Sequence, residues 1–331
     1  MKMGIFGKKK KKEESTQEDK IIQPDLNKDD PTVRPGGVFM VHLLMKEKCG
    51  ALNKEQLLSI MEKHLGEVEC ISFDEKFVGM AAKRYSAKFK DGVVVPPQLI
   101  VMPCAEFDQS TIDDLRRTQF WHHKDDYEQI LSRCPYSVMA TDMLAGGLPA
   151  KERAEFDMDF VEALVDFYPE CEAVYFLNSG TLFLADEIRH HDIPKKNRFI
   201  YFAMNVRFFN IQGSENKIVD TLGLSLLRLP DLQYHFHTQP SGEGTMEMDV
   251  NWVVDHAYST AVYLLDYGNA ADDGEFFIKD GETIGGIRNG EIVWDIFWKC
   301  HYEDAMIQPM RLVLDICMNE YAAGDRNYIE K

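Results

Sequence analysis

The residues best placed for chemistry are His235 and His237, in the run Tyr234-His235-Phe236-His237. On a strand, residues two apart face the same way, so both imidazoles can reach one metal ion. A third ligand would have to come from Asp249, Asp255 or His256, on or just before the next predicted helix. Such a site would support metal-dependent hydrolysis. The spacing carries no zinc-site signature, however, and the same four residues form a plain amphipathic strand. The sequence therefore assigns no metal and no cofactor, and His235, His237 and His256 stand as the candidates.

Other groups offer less. His122-His123 and His190-His191 are adjacent pairs, and neighbours diverge on a strand or a helix, so both pairs read as solvent-facing. Asn178-Ser179-Gly180-Thr181 offers a hydroxyl without a G-x-S-x-G elbow or a base beside it, and reads as a turn. Gly146-Gly147 and Gly285-Gly286 build neither G-x-G-x-x-G nor a P-loop and also read as turns. Glu152, Glu155, Asp157 and Asp159 crowd a predicted helix start, where acids suit the positive end of the dipole. Trp294 and Trp298 share strand parity with Ile296, which predicts a core face; with Trp121 and Trp252 they could instead form an aromatic patch for a partner. The seven cysteines are Cys49, Cys70, Cys104, Cys134, Cys171, Cys300 and Cys317, with no C-x-x-C pair. Scattered in this way, they read as reduced and mostly buried. Cys134-Pro135 opens like a redox motif, but no second cysteine follows.

These residues sit in a regular succession of elements. Val38 to Leu44 predicts a buried strand. Asn53 can cap a helix with Leu57, Leu58, Met61 and Leu65 on its apolar face, ended by Gly66. Strands are expected at Val68–Phe73, Met80–Phe89, Leu99–Met102 and Tyr136–Thr141, with a turn at Asp91-Gly92. A polar helix is expected from Ser110 to Phe120. A long helix buries Phe156, Phe160, Ala163, Leu164 and Phe167, and a strand follows at Ala173–Leu177. The charged stretch Arg189–Arg198 marks a boundary. Beyond it, Phe199–Ile211 and Leu232–His237 read as strands and Val250–Tyr267 as a helix. Phe276 to Ile278, Ile292–Trp298 and Met310–Ile316 look β-like. Helices mixed with antiparallel hairpin signals predict an α+β fold of two domains, with largely antiparallel sheets covered by helices. The expected divisions are a charged, disordered tail at 1–34 and domains at 35–192 and 193–331.

Three stretches resemble a bacterial group, domain-of-unknown-function family 4261. The first is Phe277-Ile278-Lys279-Asp280-Gly281-Glu282-Thr283-Ile284-Gly285, similar to a K-D-G-x-T-I-G hallmark after a helix. The second is Asp220-Thr221-Leu222-Gly223-Leu224 followed by Leu229-Pro230-Asp231. The third comprises Trp121, Tyr136–Thr141 and Ala173-Val174-Tyr175. The resemblance implies a bacterial cytosolic α+β protein and transfers no catalytic residues.

Composition narrows the function classes. The net charge is −18. The first twelve residues hold six lysines and no acid, so the rest carries −24. A body that acidic repels phosphate backbones, which argues against nucleic-acid binding. Neither a signal-peptide pattern nor an apolar run near the roughly 18 residues of a membrane helix is present, so a cytoplasmic location is expected. The expected function is non-enzymatic binding of a protein partner through an acidic surface. The alternatives are the metal-dependent hydrolase at His235 and His237, and an adaptor that touches a membrane surface through Lys8–Lys12.

Overall fold

The computed structural model describes residues 33–211, 213, 216–237, 248–267 and 277–318. The Lys8–Lys12 tip lies outside them. The first apolar run forms β1 (Met40–Met45). Asn53 caps α1 (Lys54–Leu65) by accepting a hydrogen bond from the Gln56 amide at 3.1 Å, and Leu57, Met61 and Leu65 are buried. Gly66 ends the helix at φ 77°, a region in which glycine carries no steric penalty.

The chain continues through β2 (Val68–Phe73) and β3 (Val78–Ala82), then turns. The expected single strand from Met80 to Phe89 is therefore broken; its second half, β4 (Ala87–Lys88), pairs with β5 (Val94–Val95) around the Asp91-Gly92 turn. Next come β6 (Gln98–Val101) and β7 (Ala105–Glu106). The helix expected from Ser110 splits into a 3-10 turn at Gln109–Thr111 and α2 (Asp114–Arg117). Asp108 and Asp113 are the caps, and the Asp113 carboxylate accepts the Arg116 amide at 2.8 Å, restarting the helix. α3 (Tyr127–Arg133), β8 (Tyr136–Met143), α4 (Ala150–Phe167), β9 (Cys171–Phe176), β10 (Thr181–Leu184) and α5 (Ala185–Arg189) complete this half. The sheet order is β10-β9-β1-β8-β6-β3-β2, with β7 also on β8, and its pairings are antiparallel.

The run from Phe199 begins as a π-helical turn, Phe199–Ala203, and becomes a strand only at β11 (Asn205–Asn210). β12 (Asn216–Leu222), β13 (Asp231–His237), α6 (Val250–Tyr267), β14 (Thr283–Arg288), β15 (Glu291–Asp304) and β16 (Leu312–Cys317) follow. Phe276 lies outside the described residues, and Phe277 and Ile278 form a bend. The order is β11-β12-β13-β16-β15-β14, with β13 and β16 parallel and the other pairs antiparallel. The fold is α+β, with largely antiparallel sheets and helices packed on them.

One cluster of buried apolar residues draws on both sheets, with Phe39, Phe160 and Phe176 from one side and Phe199, Leu226 and Tyr234 from the other. Arg153 of α4 crosses the same region. Its guanidinium donates to Asp142 at 2.8 Å and to the carbonyls of Gly37 and Leu226, so α4 ties β8 to the 3-10 turn after β12. Asp157 lies 3.4 Å from Arg153 Nε. Burial, with the Asp142 charge beside it, holds the Asp157 carboxyl well above the usual carboxylate range. Asp159 pairs with Arg198 at 2.6 Å and Lys195 at 2.9 Å. The dipole reading thus fails for Asp157 and Asp159, which are core ion-pair partners; Glu152 is the acid in the first turn. No helix among the described residues is long and apolar enough to cross a membrane.

Candidate functional site

Asp249 opens α6 by accepting the Asn251 amide at 2.8 Å. The helix then lays Val253, Ala257, Ala261, Leu264 and Leu265 onto the second sheet. An adjacent stripe, His256, Thr260 and Tyr263, faces the β14–β15 hairpin at spacings of four and three. Tyr263 was not evident as a site residue from sequence, but it lies seven residues after His256 and so shares its helical face.

His256 is the link between helix and hairpin. Its Nε2 donates to the Gly285 carbonyl at 2.8 Å, so Nδ1 is the acceptor, and the Tyr234 hydroxyl donates to it at 2.7 Å. Burial lowers the pKa of this imidazole, which keeps it neutral. Both ring nitrogens are therefore engaged in holding the fold.

Gly285 and Gly286 are not a turn, contrary to the sequence expectation. They lie inside β14, at a register shift against β15. A Cβ on Gly286 would stand 2.6 Å from Ile296 Cγ2 and 2.8 Å from the Trp298 ring, and one on Gly285 would stand 2.9 Å from the Val293 carbonyl. Glycine is needed because the large side chains of β15 lie directly on this backbone. The preceding Asp280-Gly281 turn is pinned to β15: the Asp280 carboxylate accepts the Tyr302 amide at 3.0 Å, and the Gly281 amide donates to the Cys300 carbonyl at 2.8 Å.

Between α6 and this hairpin lies a groove of about 530 Å³. Trp294 and Trp298 do not face the same side, contrary to the sequence expectation: the register shift pairs Gly286 with Val293 and Gly285 with Phe297, so three extra residues of β15 reverse its parity between the two tryptophans. Trp298 is core, whereas Trp294 is 74% exposed. Trp294 stands at an open, aromatic-walled groove, with Ile292, Tyr263 and Phe277 beside it. Tyr263 and Phe277 meet edge to face, with 5.7 Å between ring centroids. Glu282 supplies a carboxylate at the wall.

The opposite face of this sheet is polar and buried. Arg311 donates to Asp220 at 2.8 Å and to Asp231 at 3.1 Å, and Arg207 donates to Asp220 at 2.8 and 2.6 Å. Asp231 also accepts from Thr221 Oγ1 at 3.0 Å and the Leu224 amide at 3.1 Å. The two acids of the second resemblance stretch are thus halves of one internal ion cluster. Gly223 sits at φ 129°, where a Cβ would stand 2.5 Å from the Ala203 carbonyl.

Of the metal candidates, His235 and His256 do not come together. Tyr234 points toward α6 and His256, so His235, the next residue on the strand, projects to the far face, beside Cys317 in register. His235 and His256 therefore cannot share an ion. The backbone of His237 pairs with Asn216, and its side chain lies outside the described residues. Asp249 and Asp255 are exposed. Among the described residues no three His, Cys, Asp or Glu side chains form a metal-holding group.

His123 is a further correction, being buried rather than solvent-facing: it meets Glu187 at 2.9 Å and Asp126 at 3.1 Å. The hydrogen bond to Glu187, outweighing burial, raises its pKa. Ser179 is buried and bonded to Thr181 Oγ1 at 2.9 Å, within the turn expected there. Burial pushes the Cys134 thiol up to about 11, a poor setting for redox attack.

Residues 220–317 match the family model described as Domain of unknown function (DUF4261). The match contains the first and second resemblance stretches whole, whereas the third, at 121–175, lies outside it. No curated protein and no solved structure matches the chain.

Proposed function

From a chain that carries a DUF4261 domain over residues 220–317, we propose a non-enzymatic, cytosolic bacterial binding protein whose DUF4261 groove takes an apolar segment of a protein partner. The observation that carries this reading is Trp294, a large aromatic side chain 74% exposed at the mouth of a groove walled by Tyr263, Phe277 and Ile292. Aromatic anchors of this kind dominate the energetics of protein interfaces. The segment 277–304 holds six acids and three lysine or arginine residues, within a body of net charge −24, so the preferred segment is basic as well as apolar. The hydrolase alternative, centred on His235 and His237, would have to draw its third ligand from elsewhere than His256, which faces the other way, and the Lys8–Lys12 tip of the adaptor alternative lies outside the described residues.

The test places a photo-crosslinking amino acid at Ile292 in the full chain, inside the cell. Discrete cross-links to a basic, apolar peptide of another protein support the reading. Cross-links to small molecules alone overturn it. Trp294→Ala should weaken binding of that peptide at least tenfold, measured by calorimetry. Its unfolding free energy should change by less than about 0.5 kcal/mol, the usual scale for a surface substitution.

A further inference from the structure

Cys49 and Cys104 are 55 residues apart in sequence, and the fold sets them against each other. Cys49 sits in the coil between β1 and α1, and Cys104 in the link between β6 and β7. The Cys49 amide donates to Cys104 Sγ at 3.2 Å, and the neighbouring Cys104 thiol helps to raise the pKa of Cys49. Both residues are partly exposed. Cys49 lines a cavity of about 670 Å³ together with Lys46, Lys48, Glu170 and Arg189, which opens its side of the pair to a small polar reagent, and Cys104 is reached through its own partial exposure. Coil runs from Lys46 to Asn53, and the space around Gly50 is open, so the small movement that joins the sulfurs disturbs no helix or strand.

We propose that Cys49 and Cys104 form a reversible disulfide site, oxidised by a peroxide. Cys104 is the attacking sulfur, because the Cys49 amide aims a donor at the atom where charge develops. Cys104 thiolate displaces hydroxide from hydrogen peroxide and becomes a sulfenic acid; the Cys49 sulfur then attacks that sulfur, and water leaves as the S–S bond forms. In total, two thiols give two electrons and two protons to one peroxide, yielding one disulfide and two waters. Burial and the contact with Cys104 push the Cys49 thiol up to about 12. Cys49 therefore suits the second, resolving step, where it is activated by proximity. The remaining cysteines differ: Cys134, Cys171, Cys300 and Cys317 are buried, and Cys70 donates to the Ser72 carbonyl.

The test treats the full, folded chain with hydrogen peroxide and counts thiols against the seven of the reduced protein. Two should disappear, and mass mapping without reductant should join the Cys49 peptide to the Cys104 peptide within one chain. Dithiothreitol should restore both. In Cys49→Ser, dimedone should label Cys104; in Cys104→Ser, labelling at Cys49 should fall at least tenfold. Retention of all seven thiols, a different pair, or links only between chains would each overturn the proposal. Because the mapping uses the unmodified protein, it stands even if a serine variant fails to fold.

Discussion

Arg311→Met should lower the unfolding free energy by about 3–5 kcal/mol, read from the urea midpoint at constant slope. Arg311 is 1% exposed, and its guanidinium serves Asp220, Asp231 and the carbonyls of Thr221, Ile307 and Pro309. Asp220 keeps Arg207 when Arg311 is lost, but Asp231 keeps only neutral donors, Thr221 and the Leu224 amide. Burial already holds the Asp231 carboxyl above its ordinary value, with Arg311 opposing that shift. Removing the cation leaves a fully buried carboxylate to be protonated or solvated, and either route costs stability. Asp231→Asn in the same chain should recover part of the loss, since it removes the stranded charge. An exposed control, Arg288→Met, breaks a surface pair with Asp295 and should move the midpoint little. If Arg311→Met behaved like that control, the cluster would not organise the fold as described.

Asp315→Asn should make the protein more stable at neutral pH, by about 4 kcal/mol above pH 7, with the gain vanishing near pH 4. Burial pushes the Asp315 carboxyl up to about 7, and the Gln233 and Cys317 contacts oppose it only in part. In the unfolded chain an aspartate ionises near 4. Below that, both states bind the proton and the group is neutral in its effect. Between about 4 and 7 the unfolded state has released a proton that the folded state still holds, so wild-type stability falls as pH rises. Above 7 the cost is constant. Asparagine keeps an acceptor for Gln233 Nε2, which now lies 2.7 Å from Asp315 Oδ1, and cannot ionise. Urea melts of both proteins from pH 4 to 8 would give diverging curves; parallel curves would rule out a titrating Asp315.

Local chemistry made much of the fold legible. Asn53, Gly66 and the Leu57-Met61-Leu65 stripe mark α1 because capping and periodicity are properties of neighbouring residues. Phe156, Phe160 and Leu164 mark α4 in the same way. What stayed hidden depends on distance along the chain. Nothing local to Asp220, Asp231 or Arg311 shows that the folded sheet brings them together. Cys49 and Cys104 look scattered for the same reason. At the site, strand parity puts Trp294 and Trp298 on one face, and the irregularity that separates them depends on how β15 pairs with β14, which neighbouring residues do not reveal. Gly285-Gly286 was misread as a turn because glycine's scarcity of side chain serves close packing as readily as chain reversal.

β16 seats between β13 and β15, parallel to one and antiparallel to the other. The hairpin that forms one wall of the groove thus joins its sheet through the strand that leaves the ribosome last among these six. Until residues 311–317 have emerged, β13 has an open edge, Asp231 lacks its arginine and the groove has only its helical wall. A nascent chain at that stage lacks the finished groove, so under the proposed binding function partner capture would begin only once β16 is in place.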